Sequence, residues 1–582
     1  MEEQDAPRLS RRRLLKTGGA SAALGALFPS WLRLDAPPAD TEPGSGEDQR
    51  HEEQDPNLNL SNIQGNVLAG FNKDHQRLLF FRLGDGDRAR RWLSTIVDET
   101  ATSEEVLAFN DLFRRSRSRR GSEATAPAAT WLNVALTHPG LAALGVDGRE
   151  LALFPEAFRQ GMEARAGMLG DVDDSAPANW VGPFGAAGNV DGLLILAADA
   201  PDALERFARN HTQRMAAHGV TVVHDETGRV RQDQPGHEHF GFKDGVSQPG
   251  IRGLSRRRNP KNIDQGLPGQ DLLWPGEFVL GYPTQIAKAD PNADEKGANH
   301  NPGPRSTSGP SWTADGSYVV FRRLRQDVPG FHRMLADGAA EQGVSADRFG
   351  AKLVGRYPSG APLQRTEDQP DRFDPSKADP SVKNPAILDA TRVNNFEFGE
   401  DADGELVPRA AHIRKAYPRD ARTPTGGEAD TQTHRILRRG IPYGASFREG
   451  APAGSPEGPD ADRGLLFLGY QSSLERQFEF VTREWFNKTD HPEAGDGHDP
   501  VISQVSRTKR FRLPGGRPAH LTMQPFIFTT GGAYLFQPSI SALRMLSSPL
   551  RRDVPSRPRP QPPPVPPERP PRRGPGRPVV DV

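Results

Sequence analysis

Two stretches of this chain show the same succession of apolar runs and amphipathic segments. The first stretch predicts a strand at residues 76–83 (QRLLFFRL), a helix, two strands, a second helix and a last strand. In the first helix, Trp92, Leu93 and Ile96 fall on one side, as packing against a sheet requires. The segments after the first strand are GDRARRWLSTIVDE, TWLNVALT, GLLILAAD, PDALERFARNHTQRMAAHG and VTVVHDE. Two β-α-β units of this kind form a ferredoxin-like split sandwich, an antiparallel sheet backed by helices.

The second stretch repeats most of this order after a polar spacer, with one strand instead of two between its helices. Its segments are GSYVVFRRL, DVPGFHRMLADGA, GLLFLGYQ, SLERQFEFVTREWF and AYLFQPS. We therefore predict an α+β fold of duplicated ferredoxin-like domains with antiparallel sheets, the first at residues 55–255 and the second at residues 256–548. The spacer at about 256–310 is dense in Asn, Pro, Gly and Asp, and it predicts a long surface insertion.

The two ends of the chain differ from this middle. Within residues 1–54, the paired Arg11 and Arg12 precede a weak, Gly/Ala-rich apolar segment, a pattern typical of a twin-arginine export signal. A membrane span would need about 20 strongly apolar residues, and the rest of the chain offers no candidate. We predict export by the twin-arginine machinery to the periplasm, cell envelope or extracellular space, with a basic disordered tail as the alternative. Residues 549–582, rich in Pro and Arg, predict a disordered tail.

Composition narrows the chemistry of any site. The 582 residues carry a formal net charge of -1, so bulk charge attracts neither nucleic acid nor anionic lipid. The cysteine count is 0, which excludes disulfides, thiolate metal sites, a cysteine nucleophile and a haem-thiolate ligand. Histidine and carboxylates are the strong metal ligands that remain.

One carboxylate and one histidine stand out by their surroundings. In GFKDGVSQPGI, Asp244 lies between glycines that allow unusual backbone dihedrals and the close approach of a ligand, although an ordinary surface turn explains the same pattern. In PRAAHIRKAYPR, His412 precedes Arg414, and arginines recur in HRILRRGIPYG. A neutral imidazole beside guanidinium groups suits a haem iron and its propionates, while a histidine among solvated arginines is the plainer interpretation.

The motifs taken together resemble the dye-decolourising peroxidase family, nearest to its larger fungal and actinobacterial members. The resemblance covers residues 58–546 in order and rests on several independent segments. They are NLSNIQGNVLAGFNKDHQRLLFFRL, GFKDGVSQPGI, PGEFVLGYP, AKLVGRYPSGAPL, FEFGEDADG, PRAAHIRKAYPR, HRILRRGIPYG and RGLLFLGYQ. It implies two ferredoxin-like domains with one b-type haem (haem b) per chain held between them, and a peroxidase that uses hydrogen peroxide to oxidise dyes, phenols and other aromatic compounds.

The resemblance also implies roles for particular residues. Asp244 matches the distal aspartate, Arg438 the distal arginine and His412 the proximal haem ligand, and Arg414 matches a residue associated with a propionate. An ionised Asp244 would move a proton between the two peroxide oxygens, and Arg438 would stabilise the negative charge that develops as the O–O bond breaks. His412 needs an acceptor for its other ring nitrogen. Asp499 is one candidate, although GHDPVISQ favours a turn or surface role for it.

A buried haem cannot touch a bulky dye, so we expect an electron to pass through an oxidisable side chain near the surface. Tyr443, five residues after Arg438 and beyond the turn at Pro442, is the first candidate for this surface radical site, with Trp485 second and ordinary packing as the alternative for both.

Two other functions stay open at this point. One is a haem-handling protein that releases iron from haem, as proposed for deferrochelatase relatives. The other is a non-haem metal or carrier site made of His237, His239 and Asp244, because His-x-His on a strand places both rings on one side.

Overall fold

The computed structural model describes residues 55–120, 128–185, 190–256, 262, 264–286, 300–365, 393–505, 508–515 and 520–549. The predicted export signal and the Pro/Arg-rich tail lie outside these residues. Everything discussed below belongs to one compact unit, Pro56–Val582.

Strands supply the frame of this unit. They are β1 (His75–Arg82), β2 (Thr130–Leu136), β3 (Gly192–Ala198), β4 (Thr221–Arg229), β5 (Gly250–Ile251), β6 (Leu272–Leu273), β7 (Ser317–Gln326), β8 (Leu437–Arg438), β9 (Ile441–Tyr443), β10 (Gly464–Gln471), β11 (Lys509–Arg512), β12 (His520–Met523) and β13 (Ile527–Gln537).

Helices cover the sheet and connect its strands. They are α1 (Gly65–Leu68), α2 (Gly86–Ile96), α3 (Ser103–Arg120), α4 (His138–Ala143), α5 (Gly148–Leu151), α6 (Glu156–Gln160), α7 (Pro201–Ala217), α8 (Val328–Gln342), α9 (Ala346–Val354), α10 (His412–Ala416), α11 (Glu428–Gln432) and α12 (Ile540–Ser547). Two π-helical segments, Leu474–Glu479 and Val481–Phe486, follow β10.

The strand order confirms the predicted duplication. In the first half the sheet order is β4-β1-β3-β2, and in the second half it is β9-β10-β7-β13, with antiparallel pairing throughout. Counted along the chain, both orders place the first and third strands in the centre and the fourth and second at the edges, which is the ferredoxin-like arrangement. The α+β fold class is therefore as predicted. The boundary between residues 255 and 256 stays a prediction.

The two half-sheets join into a closed ring. At one junction Phe536 of β13 pairs with Leu136 of β2, and at the other Gly228 of β4 pairs with Tyr443 of β9. The interior is apolar because consecutive residues of the central strands are buried, as in Leu193–Ala198 of β3 and Tyr318–Phe321 of β7. Each half-sheet is thus continued by the other at both of its edges.

The first helix of the first half forms as its sequence predicts. The side chain of Asp85 caps α2 by accepting a hydrogen bond from the backbone N–H of Arg88 at 2.9 Å. Trp92, Leu93 and Ile96 are fully buried, and the Trp92 ring meets Phe81 of β1 edge-on at 5.0 Å. In the second half, the segment SLERQFEFVTREWF is wound as π-helix rather than as the predicted α-helix. Such winding is frequent next to functional sites.

The predicted surface insertion is wrong for its middle part. Leu272, Leu273 and Trp274 are buried, β5 and β6 form a parallel pair, and Phe278 and Leu280 belong to the core. Composition misled the prediction because the short apolar segment DLLWPGEFVLGYP lies within a long polar neighbourhood. In the described part of the chain, no helix is both long and apolar enough to cross a membrane.

Candidate active site

A cavity of about 330 Å³ brings Asp244, His412 and Arg438 together. It lies mainly against the second half, on β7, β10 and the π-helical segments, and the loop at 238–249 supplies another part of its wall. Its apolar lining combines aliphatic side chains with eight phenylalanines: Phe240, Phe242, Phe331, Phe396, Phe398, Phe467, Phe478 and Phe486. An apolar cavity with a few placed polar groups is the usual form of a cofactor site.

The loop that carries Asp244 depends on its glycines. Gly241 and Gly245 have φ angles of 97° and 70°, in the region that residues with a Cβ rarely adopt. The backbone N–H of Asp244 donates to the carbonyl oxygen of Gly236 at 3.0 Å, and that of Gly245 donates to Asp244 Oδ1 at 2.6 Å. The Asp244 side chain keeps 39% of its surface exposed. The loop therefore holds this carboxylate out from the protein at the edge of the cavity.

Arg438 is fixed by its backbone and by one end of its guanidinium. The side chain of Gln248 bonds both the N–H and the carbonyl oxygen of Arg438, at 3.2 and 3.0 Å. Arg438 Nη2 donates to the carbonyl oxygen of Ser247 at 2.8 Å, whereas Nη1 lies 3.6 Å from Asp244 Oδ1. This spacing allows electrostatic contact with Asp244 and leaves Nη1 available to a small molecule between them.

His412 begins α10, and its ring is oriented from behind. Nδ1 donates to Asp499 Oδ2 at 2.9 Å, since a carboxylate oxygen can only accept, and the other ring nitrogen, Nε2, is the one that remains for a ligand. Asp499 is fully buried, and its Oδ1 accepts from the N–H groups of Val501 and Ile502 at 2.8 and 2.9 Å. Burial acts to raise the pKa of Asp499, but the contact with His412 and these hydrogen bonds bring it below its ordinary value. Asp499 thus takes the acceptor role suggested for it, and its Oδ1 also holds the turn that follows, whereas a surface role is wrong because the side chain is fully buried.

Two buried lysines support this side of the cavity. Lys415, one turn after His412 on α10, donates from Nζ to the carbonyl oxygens of Trp485, Lys488 and Gly497 at 2.8, 2.7 and 2.7 Å. Lys509 donates to those of Pro500 and Val501. Burial lowers the pKa of each ammonium to about 8, while the charge of Asp499 acts in the opposite direction. α10 is therefore tied at three points to the segment that ends in Asp499.

Four further arginines line the cavity that sequence reasoning did not single out, and one of them, Arg322, is paired with the buried Asp171. Arg356 donates to the carbonyl oxygens of Gly360 and Val393, Arg419 stacks on Phe396 at 4.1 Å, and Arg435 lies 3.5 Å from the centre of the Tyr417 ring. Burial, with the charges of Arg419 and Arg438, lowers the pKa of Arg356 to about 9. Arg356 stands within AKLVGRYPSGAPL and Arg419 within PRAAHIRKAYPR, but only the fold brings them together.

The part predicted for Arg414 is not supported. Its guanidinium does not line the cavity, since it is buried against Asp401 Oδ2 at 3.2 Å and the carbonyl oxygen of Val407 at 2.9 Å. On the short helix α10, Arg414 lies two residues after His412 and so points to another side. Arg356, Arg419 and Arg435 line the cavity instead.

The surface position predicted for Tyr443 is wrong. Its side chain is 4% exposed, because its hydroxyl lies between Arg323 Nη1 at 2.8 Å and Asp462 Oδ1 at 3.1 Å, and Arg323 also covers the ring. Trp485 is fully buried and stacks on His491 at 5.2 Å. Neither ring can touch a bulky dye directly.

The non-haem metal site finds no support in the geometry. His239 is buried and its Nε2 bonds the carbonyl oxygen of Tyr443 at 2.8 Å, while His237 Nδ1 bonds that of Pro235 at 3.2 Å. Among the residues described, no group of three His, Cys, Asp or Glu could hold a metal ion.

The cavity suits a haem by the chemistry of its donors. One imidazole whose Nδ1 is bound to a carboxylate has Nε2 left for a metal, phenylalanines line part of the walls, and a group of arginines faces the same space. Buried cations are stabilised by paired anions, which the two propionates of a haem would supply.

Comparison with known proteins decides the family. The DyP dimeric alpha+beta barrel domain matches residues 62–232, and the C-terminal domain of Dyp-type peroxidases matches residues 290–496. The dye-decolourising peroxidase msp1 of Mycetinis scorodonius is 32% identical over 538 residues, which cover 88% of this chain and 93% of that protein. The chain belongs to the dye-decolourising peroxidase family.

Solved structures agree with this assignment. An ancestral D-type dye-decolourising peroxidase superimposes with a TM-score of 0.67 at 30% identity, covering 85% of this chain and all of that one. A dye-decolourising peroxidase in complex with 2,6-dimethoxyphenol gives 0.64 at 29% identity, covering 84% and 100%. A deferrochelatase of Yersinia pestis matches only 35% of this chain, at 27% identity.

As a member of this family, the chain is a haem-dependent enzyme that uses hydrogen peroxide to oxidise dyes and aromatic compounds. The peroxidase prediction is therefore confirmed.

Proposed function

We propose that one haem b per chain occupies the cavity, with His412 as the ligand to iron and with Asp244 and Arg438 on the peroxide side. The observation that carries this proposal is the state of His412: its Nδ1–H is bound to the buried Asp499, and its Nε2 belongs to a ring that lines the cavity. In a ligating histidine, such an acceptor fixes the tautomer and raises the basicity of the ligating nitrogen. Arg356, Arg419 and Arg435 would hold the propionates.

When bound, the haem supplies a redox-active iron that takes up the two oxidising equivalents of hydrogen peroxide. The work of the chain is proton transfer and charge stabilisation. Asp244 accepts a proton from one peroxide oxygen and returns it to the other, which leaves as water. Arg438 Nη1, 3.6 Å from Asp244 Oδ1, donates to the oxygen on which negative charge develops. The Phe lining keeps bulk water away from the reacting atoms.

The reducing substrates that we propose are phenols and aromatic dyes. One structural relative was solved with 2,6-dimethoxyphenol, which is the direct precedent for a phenol. The haem-handling alternative has weaker support, because its relatives match about a third of this chain.

The proposal is tested by titrating the purified apo-protein with haemin. We expect a Soret band that saturates at one haem per chain, a pyridine haemochrome of the b type, and bleaching of an anthraquinone dye only when peroxide is added. Saturation at another ratio would contradict the stoichiometry. Release of free iron with retention of an iron-free porphyrin would favour the haem-handling alternative.

We also propose that the enzyme is exported by the twin-arginine pathway, a proposal that rests on the sequence of residues 10–32. The pathway reads paired arginines through a receptor, so replacing Arg11 and Arg12 by lysine keeps the charge and removes the signal. We expect the double-lysine protein to remain in the cytoplasm with its haem. Replacing Arg8 by lysine serves as the control. Export of the double-lysine protein at the parent's level would contradict the proposal.

A further inference from the structure

A second carboxylate lines the cavity close to Asp244 and has no part in the mechanism above. Glu238 accepts hydrogen bonds from the backbone N–H groups of Phe240 and Phe242, both at 2.8 Å, with one oxygen for each. The oxygen that serves Phe240 also accepts from Gln326 Nε2 at 2.5 Å. All three donors are neutral, so Glu238 is held by hydrogen bonds rather than by an ion pair.

These bonds close the loop that carries Asp244. Phe240 and Phe242 are buried, and Phe240 stacks on Phe331 of α8 at 4.1 Å. The backbone N–H of Glu238 donates to the carbonyl oxygen of Phe242 at 3.0 Å, so the chain folds back on itself just before Asp244. Without the carboxylate, two buried N–H groups would have no acceptor, which the loop would relieve by shifting.

Gln326 connects this loop to the barrel. It is the last residue of β7 and its backbone pairs with Ile527 of β13, so the sheet fixes the point from which its side chain reaches Glu238. The hydrogen bond from Gln326 to Glu238 therefore links the position of the loop to that of the sheet. Burial, and to a smaller extent the charge of Asp244, raise the pKa of Glu238, and both carboxylates line the same cavity.

We propose that Glu238 is a positioning residue that sets the place of Asp244 in the cavity through the backbone of residues 240–242 and the side chain of Gln326. Glu238 acts on the loop and not on peroxide. The proposal rests on the function proposed above, since it takes Asp244 as the base of the site.

Cyanide binding measures that base without turnover. Cyanide is dissolved mainly as hydrogen cyanide at neutral pH and binds iron as the anion, so a base in the cavity must first take its proton. Stopped-flow association of cyanide with the haem-loaded protein therefore reports the placement of Asp244. Six proteins form the series: the parent, Asp244→Asn, Glu238→Gln, the double variant of these two, Gln326→Met and the control Glu277→Gln. Glu277 is also a buried carboxylate that accepts a backbone N–H, but it lies outside the cavity lining.

We expect Glu238→Gln to slow cyanide association by at least about tenfold with normal haem content, since a misplacement of about 1 Å can cost up to a hundredfold. Gln326→Met, which removes only the tie to β7, slows it by a smaller factor, about threefold on the same scale. Glu277→Gln stays within about twofold of the parent. The double variant Glu238→Gln/Asp244→Asn is no slower than Asp244→Asn alone, because Glu238 acts only through Asp244.

Each of the other outcomes would contradict either the positioning role of Glu238 or the proposed function of Asp244. Parental cyanide rates in Glu238→Gln, with Asp244→Asn slow, would overturn the positioning role and leave the proposed function intact. A parental rate in Asp244→Asn would overturn both. A double variant slower than Asp244→Asn would show that Glu238 acts on the ligand itself. If Glu238→Gln does not fold, Gln326→Met decides, and a parental rate there overturns the proposal.

Discussion

The two sides of the cavity are built in opposite ways. On the His412 side, the functional ring is tied to a fully buried carboxylate, and the helix that bears it is tied by Lys415 to three carbonyl oxygens. On the Asp244 side, the two functional side chains are each 39% exposed and stand 3.6 Å apart. An exposed ion pair at this distance is weak, so neither side chain is held by the other.

This difference separates two tasks. A ligand to iron has to be oriented before the cofactor arrives, and its buried supports cost free energy that the rest of the fold must supply. A proton carrier has to meet a small molecule from solvent and exchange protons with it, which a sealed carboxylate could not do. We therefore expect changes on the His412 side to alter haem binding, and changes on the Asp244 side to alter the peroxide reaction at constant haem content.

The largest effect is expected from His412→Ala. The variant loses the ring that offers its lone pair to the cavity, and the chain has no cysteine to replace it. We expect most of the haem to be lost on gel filtration, measured as the ratio of Soret to protein absorbance. His75→Ala, a substitution on β1 away from the cavity, is the matched control. Full haem occupancy with the parental spectrum in His412→Ala would remove this residue from the site.

On the other side, Asp244→Asn and Arg438→Leu test the peroxide step. Both should bind haem as the parent does, because neither side chain is tied to the proximal group. Loss of the proton carrier or of the charge that stabilises the leaving oxygen should slow the reaction with peroxide by about a hundredfold or more. Stopped-flow spectra measure this rate directly. If only one variant is slow, that residue alone carries the step, and parental rates in both would refute the assignment.

Asp499→Asn tests the support behind His412, and we expect it to weaken haem binding. An amide at this position can donate to Nδ1 of His412, which favours the tautomer with its proton on Nε2 and so removes the free lone pair. Replacing the partner of a ligating histidine typically costs about 10–100-fold in affinity or activity. Haem affinity measured by transfer to apomyoglobin should fall by this amount. Asp401→Asn, which alters a buried carboxylate bonded to Arg414, is the control. An unchanged affinity would contradict the orienting role.

The smallest effect concerns stability and pH. Burial lowers the pKa of Lys415 from 10.5 to about 8, so between these values the unfolded chain binds more protons than the folded one. Stability contributed by this residue must then rise with pH over that window, by about 1 kcal/mol per unit. Lys415→Met removes the titrating group. The unfolding free energy of the parent minus that of the variant should therefore increase from pH 8 upward. Urea unfolding at several pH values measures this difference in unfolding free energy. A difference that does not change with pH would show that the pKa of Lys415 is not lowered in the folded protein.

The spacing of apolar residues predicted the fold well where a segment was long enough to show a helical or strand period. The amphipathic side of α2 and the apolar runs of β1, β3 and β7 could be read from local spacing, and their repeated order predicted the duplication. The short strands β8 and β9 were not predicted, because two or three residues show no period. The buried segment around Leu273 was missed since its polar neighbours dominated the composition.

For the site, motifs predicted the residues but not their surroundings. Asp244, His412 and Arg438 meet in one cavity as the resemblance implied, whereas Arg414 and Tyr443 point away from the positions expected of them. Which way a side chain points depends on the winding of a five-residue helix or on a neighbour such as Arg323, far away along the chain. The group formed by Arg356, Arg419 and Arg435 could not be predicted either, because these residues come from three separate segments that only the fold brings together.

The closed ring of strands has a consequence for contacts between molecules of this enzyme. An open sheet presents unpaired N–H and C=O groups at its margins, to which a strand of another molecule can attach. Here each half-sheet uses the margins of the other, at Leu136 with Phe536 and at Gly228 with Tyr443. The chain has no cysteine, so no disulfide bond can prevent partial opening of the ring. We expect opening at these two narrow junctions to be the first step toward fibril-like self-association, and the stability of the junctions to limit it.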